Sequence, residues 1–311
     1  MQNTTTATVV PIDSYLSNSS SIASKAMISR LTVNQYKPSI VDKDATTVVH
    51  QQYMAGDEAG SYRKFLIKKS AYEVISKIIG EARTYHNKQT LPWGENGERL
   101  LPAKNYVEYT QKMGILKESF IQAVDDLVVD YPNLITEAQT RLGSMYNADE
   151  YKSATDIETC FNFQVKIKPV ATAEDFRVDV ARDDLDKITA DIQKQLKEDQ
   201  AYAMKDLWSR LYGAVTKMND RLTTTRIDSK TNEEKPATFH ASIVENLAEL
   251  SQLLPKLNIS NDPDLDKMCI DIQDQLCSFP AKELRKNVKA KNETAKAAKA
   301  LMERMNGYME K

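Results

Sequence analysis

The sequence predicts a mainly α-helical protein: an elongated bundle of long amphipathic helices with one small antiparallel two-stranded β-ribbon. Three observations carry that expectation. Between Asp183 and Leu222 there is no proline and one glycine, and Leu185, Leu196, Leu207 and Met218 recur every eleven residues. Only one stretch, around residues 160–180, alternates with the period of a strand. Glycine occurs nine times and proline ten times in 311 residues, too few for a fold of many short strands and tight turns.

In chain order, residues 1–30 read as a flexible tail, with Thr4-Thr5-Thr6 and Ser19-Ser20-Ser21 and no sustained period. Residues 31–158 form an N-terminal helical region. It opens with a short extended piece over 31–41 and a helix over 43–54 that stops before Gly56. Ser61 is placed as the N-cap of the next helix, whose Phe65, Tyr72, Ile75 and Ile79 recur at helical spacing. Residues 90–104 carry two prolines, two glycines and an Asn96-Gly97 turn signal, so they read as a loop; Trp93, Leu100 and Leu101 imply that it is packed down. A helix over 105–130 should break at Pro132, which then begins another through Met145.

Residues 159–222 hold the ribbon and the long helix. Phe161, Phe163, Val165 and Ile167 alternate with polar residues, and Phe176, Val178 and Val180 supply the second strand. Eleven residues in three turns is ~3.67 per turn, near the unstrained value, so the leucine stripe keeps to one face. It predicts deep burial of Leu196 and Leu207 along a helix of roughly 60 Å. Residues 223–237 read as an exposed loop. Residues 238–311 form a three-helix region: one helix from near Thr238 to Leu257, one with Asp262 as N-cap and Pro263 as first residue, and one from near Pro280 to Tyr308.

Net charge is −2, which disfavours a uniformly basic nucleic-acid binder. Its distribution is uneven: nine Lys/Arg against four acids in 61–104 and again in 281–311, with nine acids against two bases in 118–158. Such segregation creates local fields that the total conceals. Three cysteines, Cys160, Cys269 and Cys277, form no CxxC pair and suggest neither a disulfide framework nor a zinc site. There is no signal-peptide pattern, and no apolar run approaches the roughly 20 residues of a membrane span.

No phosphate-binding glycine loop, HExxH or GxSxG occurs, and His50, His86 and His240 are not at ligand spacing. Asp125-Asp126 and Asp183-Asp184 are the residual candidates for a carboxylate or metal-dependent enzyme, the third-ranked reading. The expectation is a non-enzymatic protein without cofactor. Two features point to binding. Lys282, Lys286, Lys289, Lys296, Arg304 and Lys311 gather on one face of the last helix, which is either a phosphate-tracking face or the solvated side of a terminal helix. Arg83, Tyr85, His86, Lys88, Trp93 and Arg99 interleave bases with rings, as single-strand binding requires, or form a loop anchored by its own Trp.

The segments Tyr62–Ile67 (YRKFLI), Ala82–His86 with Thr90–Tyr106 (its motif TLPW…G.RLLP), Asp175–Val180, Asp206–Leu211 (DLWSRL) and Thr238–Pro263 resemble, in this order, a helical family of unknown function encoded by tailed phages. Some relatives in that family lie beside genes for MoxR-type AAA+ ATPases and von Willebrand A-domain proteins. More loosely, the chain is similar in kind to phage single-stranded-DNA-binding transcription cofactors. The resemblance implies a phage protein of the host cytoplasm that is non-enzymatic. The lack of a long apolar run implies no membrane association, and the long helix, which must pack along its length against other helices or another subunit, implies a homo-oligomer. Its leading expected role is binding single-stranded DNA in phage DNA metabolism or transcription. The alternative is an adaptor for a phage or host protein such as an AAA+ ATPase.

Overall fold

The structure, a computed structural model, describes residues 22–171, 182–227, 234–236 and 238–309. It is mainly α-helical with a small sheet. Two compact units interleave along the chain. The first takes the residues before Arg30, Gln89–Tyr106 and those from Ile167 onward; the second takes Arg30–Lys88 and Val107–Lys166. The stretch 90–104 thus leaves the N-terminal helical region in which its sequence position placed it.

The first unit is organised by the long helix, labelled α5, Arg182–Thr223. Its bounds match the eleven-residue repeat. The repeat is buried toward the C-terminal end, where Ala203, Leu207, Leu211, Val215, Met218 and Leu222 are all buried. Leu196, predicted to be deeply buried, is only half-buried at the margin of that core. The Leu185 side chain lies outside the described residues. Packed on α5 are α6 (Ala241–Leu257) and α9 (Val288–Met309), with α7 (Pro263–Leu276) against both α6 and α9. Asp262 caps α7 as the sequence predicts, accepting from the Asp264 and Leu265 amides at 2.9 and 3.4 Å, with Pro263 following.

The single last helix of the sequence reading is two. α8 (Ala281–Lys286) ends at Asn287, whose backbone is extended, and α9 begins after it. The Asn287 Oδ1 accepts from the Lys289 and Ala290 amides, both at 3.1 Å, so a side chain supplies the cap that starts the new helix. Residues 90–104 form a β-hairpin in place of a loop: β4 (Leu91–Pro92) pairs with β5 (Arg99–Pro102). Asn96 and Gly97 both take positive φ in its turn.

Strand β1 (Ala26–Asn34) replaces the last residues of the predicted tail, whose residues 1–21 lie outside the described residues; its Ala26–Ser29 pair antiparallel with Arg99–Pro102. The sheet order is β4-β5-β1-β6, where β6 (Asn162–Pro169) is the first strand of the predicted ribbon. The second, Phe176–Val180, lies outside the described residues, and the described neighbour of β6 is β1. The predicted loop 223–237 contains a short antiparallel pair, β7 (Thr225–Ile227) with β8 (Glu234–Pro236).

In the second unit, α2 (Glu73–Gln89) and α3 (Tyr106–Leu142) carry most of the core: Ile75, Ile79 and Ala82 with Tyr109, Met113, Leu116, Phe120, Val124 and Leu127. Pro132 does not break α3. A buried proline-flanking pair, Tyr131 and Leu134, holds the helix in register, and the carbonyl of Pro132 accepts from Thr136 Oγ1 at 3.1 Å. Packing overrides the lost backbone hydrogen bond. Ser61 caps no helix either. Arg63–Phe65 is a strand, β3, paired antiparallel with β2 (Ser39–Val41), and α2 starts only at Glu73. Helix α1 (Lys43–Tyr53) begins at the Asp42 N-cap and ends, as predicted, before Gly56.

Candidate functional site

The residues singled out for nucleic-acid contact fall in both units. Arg83, Tyr85, His86 and Lys88 belong to the second unit, Trp93 and Arg99 to the first. Trp93 is 5% exposed, packed into the core that surrounds α5, and His86 is 4% exposed with its Nδ1 2.8 Å from the Tyr109 hydroxyl. Tyr85 stacks on Tyr109, ring centroids 6.2 Å apart and 9° from parallel. The Trp93 and His86 rings are buried and offer no bare face to a base, whereas Tyr85 is half-buried. Arg83 is exposed and Lys88 half-buried.

The basic residues near the C-terminus are exposed but not on one helix. Lys282 and Lys286 lie on α8, while Lys289, Lys296 and Arg304 lie on α9, so the turn at Asn287 breaks the common face. Arg304 is ion-paired to Asp271 at 2.8 Å and Lys289 approaches Glu293 at 4.0 Å. Lys311 lies outside the described residues. Asp125 and Asp126 are exposed, and Asp126 accepts from Gln122 Nε2 at 2.9 Å. Among the described residues no group of three or more His, Cys, Asp or Glu could hold a metal ion, and no helix is long and apolar enough to cross a membrane.

Arg99 has a different setting. It donates from Nε to Thr90 Oγ1 at 2.7 Å and from Nη2 to the Thr90 carbonyl at 3.0 Å. Arg210, from α5, donates its own Nη2 to that same carbonyl at 2.9 Å and pairs with Asp206 at 2.7 Å. Burial pushes the Arg99 guanidinium below its ordinary range, and the Arg210 charge pushes further, while Asp206 and Tyr202 draw it back.

The second unit holds a groove that sequence reasoning missed. A cavity of about 790 Å³ opens between α1, β2–β3 and the turns after α3. Its wall is apolar: Val41, Val48 and Val49, all exposed to solvent. Its floor is charged. Lys64, a 5% exposed lysine in β3, pairs with Asp42 Oδ2 at 2.8 Å and Glu150 Oε2 at 2.9 Å, and donates to the Met145 carbonyl at 2.8 Å. Three segments therefore meet on one ammonium. Gly143, at φ 55, ends α3 in the left-handed conformation that lets the chain turn into the groove.

Burial alone would push the Lys64 ammonium down, but its hydrogen bonds to the Asp42 and Glu150 carboxylates, which accept them, outweigh it and hold the group above its ordinary range. Asp42 is held low, chiefly by Lys64 and then by the Ala45 amide it caps at 2.9 Å. Two carboxylates against one ammonium leave the floor one negative charge in excess. Helix α1 itself buries no residue, and Tyr53 at its C-terminal end is 74% exposed. The only sequence signal was Val48-Val49 within an otherwise polar helix; a lysine in YRKFLI gives no sign that it will be buried. No family model, curated protein or solved structure matches this chain.

Proposed function

We propose that this chain is an interaction protein, an adaptor that receives an apolar segment of another protein in the α1 groove. The observation that carries the reading is that α1 buries none of its 11 residues yet presents Val48 and Val49 along a 790 Å³ cavity. An isolated helix of that length is marginal in water, and contiguous exposed apolar surface on a folded domain marks a contact site. The excess negative charge of the Asp42–Lys64–Glu150 floor favours a segment bearing a cationic side chain among its apolar ones. By the resemblance described above, phage or host proteins are the partners to try first, AAA+ ATPases among them.

The test is selection of peptides from a random library on the immobilised protein, repeated with Val48→Asp/Val49→Asp. Enriched peptides should carry apolar residues with Lys or Arg and should lose binding to the double variant. Peptides retained equally by both proteins would remove the groove from the account. Single-strand binding by the lysines of α8 and α9 has less support, because the face that suggested it is broken at Asn287 and Arg304 is committed to Asp271.

A further inference from the structure

We infer that Glu150 is the anchor of the α1 groove, its Oε1 receiving the ammonium of a lysine side chain from the incoming segment in preference to an arginine. This specificity rests on the groove reading proposed above, and every residue it uses lies within the second unit.

Of the two carboxylates on the floor, Asp42 is engaged through both oxygens. Its Oδ1 accepts from the Ala45 amide at 2.9 Å and its Oδ2 meets the Lys64 ammonium at 2.8 Å. Glu150 is engaged on one side only. Its Oε2 is buried and lies 2.9 Å from Lys64, whereas Oε1 is bonded to none of the described residues. The Glu150 side chain is 24% exposed, and with Oε2 buried the accessible acceptor is Oε1. Lys64 cannot serve it. An ammonium has three donors, and these meet Asp42, Glu150 Oε2 and the Met145 carbonyl. On the rim Lys43 and Asp44 cancel, so the negative charge in excess is centred on Glu150. One cationic side chain neutralises it.

A guanidinium gains most from a carboxylate that offers both oxygens to two parallel N–H donors. With Oε2 held by Lys64, Glu150 offers one. An ammonium is a point charge and needs only one. Val48, Val49, Tyr62 and Tyr146, which line the cavity, supply surface for the apolar stem of a lysine while its head reaches the carboxylate. A tyrosine ring on that wall also attracts a cation that has left water. Both tyrosines sit on backbone that is already tied down. The Tyr62 amide donates to Thr46 Oγ1 at 3.0 Å and its carbonyl accepts from the Asp42 amide at 3.0 Å, while the Tyr146 amide donates to the Gly143 carbonyl at 3.1 Å. The walls are therefore placed before a segment arrives.

The experiment is fluorescence anisotropy on the full chain with three labelled heptapeptide pools. Each is the same mixture of Ala, Val, Leu and Ser around a fixed central residue, which is lysine, arginine or norleucine. The lysine pool should bind about 10- to 100-fold more tightly than the norleucine pool, the worth of a hydrogen bond to a charged group. The arginine pool should fall between them. In Glu150→Gln the lysine-to-norleucine ratio should drop to about 1, because the charge that favours an ammonium is gone. Should Glu150→Gln fail to fold, the ranking of the three pools on the unmodified protein still decides. Arginine equal to or above lysine, or a lysine advantage that persists in Glu150→Gln, overturns the anchor. If all three pools bind equally and lose binding in Val48→Asp/Val49→Asp, the anchor falls and the groove reading stands. If no pool binds, or binding survives in Val48→Asp/Val49→Asp, the groove reading falls and the anchor with it.

Discussion

Trp93→Ala separates a structural anchor from a stacking platform. The side chain is 5% exposed and packs with Leu91, Leu100 and the α5 residues of one core. Removing an aromatic that buries about 150–250 Å² forfeits roughly 4–6 kcal/mol at ~25 cal/mol per Å². Measured Trp-to-Ala changes of this kind cost about 3–5 kcal/mol. The variant keeps a built-in reporter, because the chain has two tryptophans and the other, Trp208, stacks on Tyr308 in the same unit at 4.4 Å. Urea unfolding followed by Trp208 fluorescence should show a midpoint lowered by that loss with an unchanged m-value. A stability loss under about 1 kcal/mol, outside that range, would mean that Trp93 does not hold the hairpin to α5 and that its burial has been misread.

Other outcomes follow from the same geometry. Leu207→Ala should cost about 2–5 kcal/mol, and Leu196→Ala clearly less, because the stripe is fully buried only toward the C-terminal end of α5; equal losses in urea titrations would contradict the partial burial. Asn287→Ala should cost about 0.5–2 kcal/mol by removing the α9 cap, read as a lower melting temperature. The Asp42–Lys64 pair sets a pH window for α1. The folded pKa of Asp42 lies below its unfolded value near 3.9, so its contribution is complete above about pH 4 and is lost as pH falls through the depressed value. The raised Lys64 contributes fully below its unfolded value near 10.4 and is lost as pH rises through the higher folded one. Amide exchange in α1 should therefore quicken at both extremes; local loosening between about pH 5 and 9 would speak against the pair as the α1 tether.

Long-range order was legible where one face of one element repeats. The eleven-residue spacing located α5, and Asp262-Pro263 located the start of α7, because both signals are local and unopposed. Strands β4 and β5 are two and four residues long and end in proline, too short for any period to register. Strand β1 mixes buried Ala26, Ile28 and Ser29 with exposed Arg30, so it never alternates cleanly. Pro132 signals a break that tertiary packing cancels, and Asn287 makes one that the charge pattern on either side concealed. Trp93 and Arg99 were singled out by residue type; their burial, and the partners Arg210 and Tyr202 more than a hundred residues away, are consequences of topology. The groove depends on Lys64 meeting Asp42 and Glu150, a convergence no local window contains.

If the groove beside α1 receives an apolar, cation-bearing peptide, as we propose, that peptide should shield α1 and the turns after α3. Hydrogen exchange read by mass spectrometry, with and without a saturating library-selected peptide, tests it directly. Exchange should slow over residues 43–53 and 143–150, with the first unit unchanged. Unaltered exchange in both segments while protection develops elsewhere would contradict it.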